Sequence, residues 1–319
     1  QGYCLIVDES VSTLESAEFH IADLQLALDA GYVAEEGDEY VLINDEYNGS
    51  ALREMFNLLK SRRLIRLRSE YGEKLFYWTL PSELLTSFRD VYILTYLFEG
   101  QSLYYFMQMY NLSYERIGIR RGGDGGYHFC EDPDYVPDYV ANLPDMIDIL
   151  DNDRMNAVGD SRFALSASWY DRDERNPEVI RKNMTNYFNN ICKDVPADRK
   201  LWGTFKGVKH SIQGKGYTNA FLNFNTRATN AHRDKNCLAY PINIYMNVGE
   251  KMFYKLHGLE VDEEAYALSI MIQWIWRSEI RTGEKIRLYI PSRRMRELLI
   301  GWMYETSGRS KPEEGDESA

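Results

Sequence analysis

Short apolar runs alternating with stretches of helical spacing limit this chain more than any other feature. Beyond residue 150, segments 163–168, 201–205, 220–224 and 286–290 read as strands, with helical patterns between them. That alternation predicts an α/β fold with parallel sheets, because parallel neighbours cannot be joined by a tight turn and need a crossover. The strongest helical pattern spans 263–281, with Asp262 as N-cap and Thr282-Gly283 as the stop. Another starts at Ser292, where Met295, Leu298, Leu299, Trp302 and Met303 form the apolar stripe of a helix lying on a sheet.

Near the N-terminus, the run Leu5-Ile6-Val7 ends abruptly in Asp8-Glu9-Ser10. This is the pattern of a buried parallel strand that delivers carboxylates to its C-terminal edge, where open α/β sheets bind ligands. Residues 91–97 read as a second buried strand, and mixed helix and hairpin signals over about 20–88 predict an inserted α+β subdomain. Gly122-Gly123-Asp124-Gly125-Gly126 and the Pro- and Asp-rich stretch after it carry turn chemistry without periodicity. The expected division is therefore 1–121 as a first domain with its insertion, 122–150 as linker, 151–305 as a second domain, and 306–319 as a disordered acidic tail.

The bulk chemistry removes several function classes. No apolar run reaches the roughly 18 residues of a membrane span and no signal peptide is visible, so the chain is expected in the cytosol. The four cysteines form no CxxC pair and the five histidines no HExxH, which leaves carboxylates as the candidate metal ligands. A net charge of −12 argues against a uniformly cationic surface, yet basic residues cluster over 53–68, 199–215 and 277–296.

Two groups of residues carry chemistry. An apolar strand ending in Asp8-Glu9 has the shape of a Walker B strand, in which Asp8 would hold Mg²⁺ and Glu9 would act on the attacking water. Gln273, Arg277 and Arg281 stand four residues apart on the predicted helix, one face of which would then offer a glutamine and two arginines to a phosphoryl group. With solvated strand-end acids and an exposed stripe salt-bridged to Glu279 as the plainer alternatives, each group needs the other.

On these residues the chain resembles a phage- or prophage-type DEAD/DEAH-like superfamily 2 helicase. Val7-Asp8-Glu9-Ser10 resembles motif II and Gln273-Trp274-Ile275-Trp276-Arg277-Ser278-Glu279-Ile280-Arg281 resembles motif VI. Between them, Ile93-Leu94-Thr95-Tyr96 falls at motif III, Leu201-Trp202-Gly203-Thr204-Phe205-Lys206 at motif IV, and Phe224-Asn225-Thr226-Arg227-Ala228-Thr229-Asn230 at motif V. The resemblance implies two RecA-like domains, the first incomplete and the second complete. It further implies Mg²⁺ and ATP as cofactors of the parent enzyme, and Thr95, Thr226 and Thr229 as coupling residues. Lys206, Lys215 and Arg227 would contact single-stranded or duplex DNA in a bacterial host cytosol.

The sequence departs from the family in three places. The second arginine lies eight residues after the glutamine, and Leu-Thr-Tyr replaces Ser-Ala-Thr in motif III. No GxxxxGK[ST] occurs, and Gly207 to Gly214-Lys215-Gly216 has six intervening residues and lacks the Ser or Thr. Hydrolysis would then need a Walker A segment or replication partner from outside this sequence. The alternative is a helicase-like module that binds nucleic acid or protein without catalysis. A carboxylate-metal nuclease built on Asp8, Glu9 and an acid from 131–153 is a third reading.

Overall fold

The computed structural model describes residues 2–8, 11–68, 74–132, 135–226 and 229–311. Glu9, Ser10, Arg227, Ala228 and tail residues 312–319 lie outside them. The chain divides into two compact units, Gln1–Ser113 with Met246–Glu263, and Tyr114–Tyr245 with Glu264–Ala319. No helix among the described residues is long and apolar enough to cross a membrane.

In the first unit, β1 (Cys4–Asp8) pairs in parallel with β7 (Asp90–Leu94), Asp8 standing opposite Leu94. The expected full burial of β1 does not occur. Cys4, Ile6 and Asp8 are exposed while Leu5 and Val7 are half-covered, since among the described residues β7 is the one strand beside it and a single face packs. Between them lies an antiparallel sheet in the order β2 (Leu14–Ser16), β6 (Lys74–Thr79), β5 (Arg63–Arg68), β4 (Glu39–Leu42), β3 (Val33–Glu36). Leu24 and Ala27 from the helix Ile21–Asp29, and Met55, Phe56 and Leu59 from the helix Arg53–Leu59, close its core against Val33, Leu64 and Trp78. The later segment Met246–Glu263 returns to this unit. Its helix Val248–Leu256, capped by Asn247, sets Phe253 against Tyr77 and Tyr254 against Tyr105, at ring distances of 5.3 Å.

The second unit opens with a hairpin, β8 (Gly118–Arg121) and β9 (Tyr127–Cys130). Its centre is a parallel sheet in the order β10 (Ile147–Ile149), β13 (Ile286–Tyr289), β12 (Cys237–Ala239), β11 (Lys200–Trp202). The parallel pairing that the alternation predicts is thus present, although individual boundaries differ. Residues 122–150, expected as linker, contribute both β9 and β10. Residues 163–168 are not a strand, because Leu165 takes φ 63° and Ser166 caps the helix Ala167–Arg172. Of 220–224, Phe221 alone bridges to Trp202.

The predicted helix 263–281 is cut short at Ile275. There the Ser278 hydroxyl and backbone N–H both donate to the Ile275 carbonyl, at 2.6 and 3.0 Å, and occupy the acceptor that another helical turn would use. A 3₁₀ turn, Glu279–Thr282, follows and ends at Gly283, whose φ of 82° suits glycine. The helix Arg293–Thr306 forms as its stripe predicts, with the Ser292 hydroxyl accepting from the Met295 N–H.

Candidate functional site

Every strand of the parallel sheet delivers its following residues to one edge, the edge where such sheets bind ligands. After β10, Asn152 caps the short helix Asp153–Asn156. Gly159 then passes so close to the β13 exit that an added Cβ would lie 1.9 Å from the Pro291 carbonyl oxygen. The loop that follows is held by Asn243, which leaves β12 buried. Its Nδ2 donates to the carbonyls of Arg162 (2.9 Å) and Ala164 (3.0 Å), and its backbone N–H donates to that of Leu165 (2.9 Å). These bonds support the left-handed residue Leu165, a conformation that otherwise costs a leucine about 1–2 kcal/mol.

Locked in this way, the loop presents Phe163 to solvent at 56% exposure. Tyr245 stands beside it with ring centroids 5.5 Å apart, and the Tyr245 hydroxyl donates to the Arg162 carbonyl. Arg162 lies 5.4 Å from the Phe163 ring and Arg294 lies 4.4 Å from the Tyr245 ring. Arg294 is aimed by donating to Asn243 Oδ1 (3.0 Å) and the Ile244 carbonyl (2.8 Å). An exposed aromatic face flanked by guanidinium groups can stack on a planar base and neutralise the phosphate attached to it. Lys206 is exposed on the segment that follows β11, at the same edge.

The residues singled out by motif fall into local groups. In the first unit Asp8 is exposed at the end of β1, and Thr95 directly follows Leu94, its partner on β7, so these two strand ends adjoin. Thr95 Oγ1 accepts from Gln101 Nε2 at 2.6 Å. Glu9 lies outside the described residues. In the second unit Gln273 is half-buried near the end of its helix. The shortened helix removes the common face that Gln273, Arg277 and Arg281 were expected to share.

Both arginines instead hold the segment around Thr229. Arg277 is buried and donates to the Thr229 carbonyl (3.4 Å), and Arg281 donates to Asn230 Oδ1 (2.7 Å). Thr226 turns back on Asn223 through its N–H, while Arg227 is outside the described residues. Glu279 pairs with Arg199 through two 2.7 Å bonds. This ground lies toward the other edge of the sheet, where Arg199 precedes β11 and Asn236 precedes β12. That edge holds a cavity of about 660 Å³ whose charges are mixed, Asp194 being held below the usual carboxylate range by Arg287. Nearby His232 is pushed down by burial and then by Lys235.

Among the described residues no group of three His, Cys, Asp or Glu side chains can hold a metal ion. Asp8 is one exposed carboxylate, and Mg²⁺ bound with ATP requires in addition a phosphate cradle that the sequence does not contain. Of the two motif carboxylates the described residues include Asp8 alone, Glu9 lying outside them.

Arg162, Phe163, Asn243 and Tyr245 escaped the motif reading, while Arg294 falls within the basic cluster 277–296. Their signal was local: a bulky aromatic beside Arg162 in a segment that also carries the Ser166 cap.

Residues 141–303 match the model of the YonV C-terminal Rossmann-like domain. The chain is also 32% identical over 309 residues to the SPbeta prophage-derived protein YonV of Bacillus subtilis (strain 168), covering 95% of this chain and 74% of that protein. No solved structure matches.

Proposed function

This chain belongs to the family of the YonV C-terminal Rossmann-like domain, and from that premise we propose that it is a phage-type protein that binds single-stranded nucleic acid and does not itself hydrolyse ATP. The observation that carries this reading is the exposed Phe163, set beside Tyr245 and between Arg162 and Arg294 at the C-terminal edge of the sheet. A base stacks on Phe163, the guanidinium groups take adjoining phosphates, and Asn243 keeps the loop in register without touching the strand. The sheet and its crossovers serve as the second RecA-like domain of a helicase-like architecture in this reading.

A second reading, ATP-driven movement along DNA, is favoured by two local juxtapositions. Asp8 and Thr95 adjoin at neighbouring strand ends, and Arg277 and Arg281 both engage Thr229-Asn230. The sequence contains no phosphate loop, which ranks this reading second.

Fluorescence anisotropy with a labelled oligo(dT) strand, run beside an ATP hydrolysis assay, tests both. The expected result is strand binding without turnover, weakened about 5- to 150-fold by Phe163→Ala, the range that corresponds to 1–3 kcal/mol of stacking. DNA-stimulated turnover abolished by Glu9→Gln and by Arg277→Ala would transfer support to the second reading. Wild-type protein that binds no strand would remove the first.

A further inference from the structure

The helix Arg175–Asn186 does not end cleanly but continues as a π-helical turn, Tyr187–Ile191. Such turns widen the helix, change which side chains share a face, and recur at functional sites. Here the widened turn carries Asn189 and Asn190 alongside the face that bears Arg181, Lys182 and Asn186. Asn189 Nδ2 donates to the Lys215 carbonyl at 2.9 Å, tying a second segment to this helix.

That second segment is braced by hydrogen bonds. Tyr217 donates its hydroxyl to the Ile212 carbonyl and its own carbonyl accepts from buried Trp202 Nε1, both at 2.8 Å. Thr218 Oγ1 donates to the Gly214 carbonyl, and Gly216 takes φ 93° beside Asn189. The turn therefore presents Lys215 on a fixed mount. Between turn and helix runs an open groove of about 390 Å³, lined by Arg181, Lys182, Asn186, Asn190, Gln213 and Lys215 among others.

Among the described residues that line this groove none is acidic, in a chain whose net charge is −12. Glu178, one turn below, pairs with Lys182 at 2.9 Å and offsets part of that charge, while Arg181 and Lys215 are exposed. Cations with neutral amides between them suit a chain of phosphodiesters, whose oxygens accept from both kinds of donor at regular intervals; Asn190 Nδ2 donates one hydrogen to Asn186 Oδ1 at 2.8 Å and has a second to give. The cavity at the N-terminal edge of the sheet makes the contrast, because Asp145, Asp148, Asp194 and Asp198 line it beside Arg199, Lys285 and Arg287, so its charges are mixed rather than cationic.

We propose that this groove seats a nucleic-acid backbone, with Arg181 and Lys215 each neutralising a phosphate and the amides of Asn190 and Gln213 bonding the oxygens between. The site deepens the nucleic-acid reading above and is separate in its residues from the Phe163 platform. The test is binding of fluorescein-labelled oligo(dT) to the full chain at salt concentrations between about 50 and 200 mM. Arg181→Glu/Lys215→Glu is expected to weaken binding at least about tenfold and to flatten the slope of log K against log[salt] by about 1.4, or about 0.7 per lost contact on a single strand. Arg181→Gln/Lys215→Gln should flatten the slope equally with a smaller loss of affinity, and circular dichroism melts matching wild type would confirm that both variants fold. Phe163→Ala should lower affinity and leave the slope unchanged. If Phe163→Ala weakens binding while the charge-reversal pair changes neither affinity nor slope, the groove is refuted and the platform stands. If the wild type does not bind, both fall.

Discussion

Removing the Asn243 side chain separates the loop from the sheet in a way that can be worked out bond by bond. In Asn243→Ala the carbonyls of Arg162 and Ala164 each lose a neutral donor and the Arg294 guanidinium loses an acceptor. Neutral bonds contribute about 1 kcal/mol each and a bond to a charged group about 1.5–3 kcal/mol, for a gross loss of about 4 kcal/mol. The Arg162 carbonyl keeps the Tyr245 hydroxyl as a donor and Arg294 keeps the Ile244 carbonyl, which reduces the expected net loss to about 3 kcal/mol. For a unit of this size that corresponds to a fall in Tm of roughly 6–12 °C. Urea titration of the full chain followed by near-ultraviolet circular dichroism would measure it. Asn243→Asp, which keeps an acceptor for Arg294 but turns a buried carboxylate oxygen toward both carbonyls, should be at least as destabilised as alanine. Because the loop carries Phe163, Asn243→Ala should also weaken oligo(dT) binding under conditions where the protein is still folded. A stability loss below about 1 kcal/mol, or unchanged strand affinity, would refute the assignment of Asn243 as the residue that holds the loop.

Three further outcomes follow from the same structure. Burial raises the Glu250 carboxyl above its ordinary value against the opposing bond from Ser102, so it costs the fold nothing below the unfolded value and destabilises it as pH rises through the folded one. Glu250→Gln should therefore raise the urea midpoint at pH above neutrality and match wild type near the ordinary carboxylate pKa; a gain at acid pH alone would contradict this. Gly159→Ala forces a Cβ against the Pro291 carbonyl and should cost about 1–3 kcal/mol, measured by thermal melting. Arg277→Ala, which removes a buried charged donor, should cost about 2 kcal/mol, and Arg281→Ala, at the exposed contact to Asn230, under about 0.5 kcal/mol; equal small losses would argue against a structural role for Arg277.

Where local chemistry and tertiary packing agree, the sequence is readable. The stripe from Met295 to Met303 and the cap at Ser292 predict their helix, and 286–290 predicts β13, because Ile286, Leu288 and Tyr289 are buried there and turn residues flank the strand. Agreement fails where a single side chain decides. Nothing in the periodicity of 263–281 announces that the Ser278 hydroxyl will take the Ile275 carbonyl, and the proposed face of Gln273, Arg277 and Arg281 disappears with that bond. Strands β10 and β12 have three residues each, too few for a period to register. Phe163 was misread as a strand residue for a similar reason. Its exposure depends on a left-handed Leu165 held by Asn243, eighty residues further along the chain.

The first unit is completed by chain that is synthesised late. Phe253 and Tyr254, both buried there, belong to Met246–Glu263, and all of Tyr114–Tyr245 must be made before they exist. At about 5–20 residues per second that is a delay on the order of ten seconds, during which the surfaces of Tyr77 and Tyr105 have no partner from that helix. A truncation anywhere in that interval would yield an N-terminal piece whose Tyr77 and Tyr105 rings lack these partners, while the core between Leu24 and Trp78 draws on no later residue.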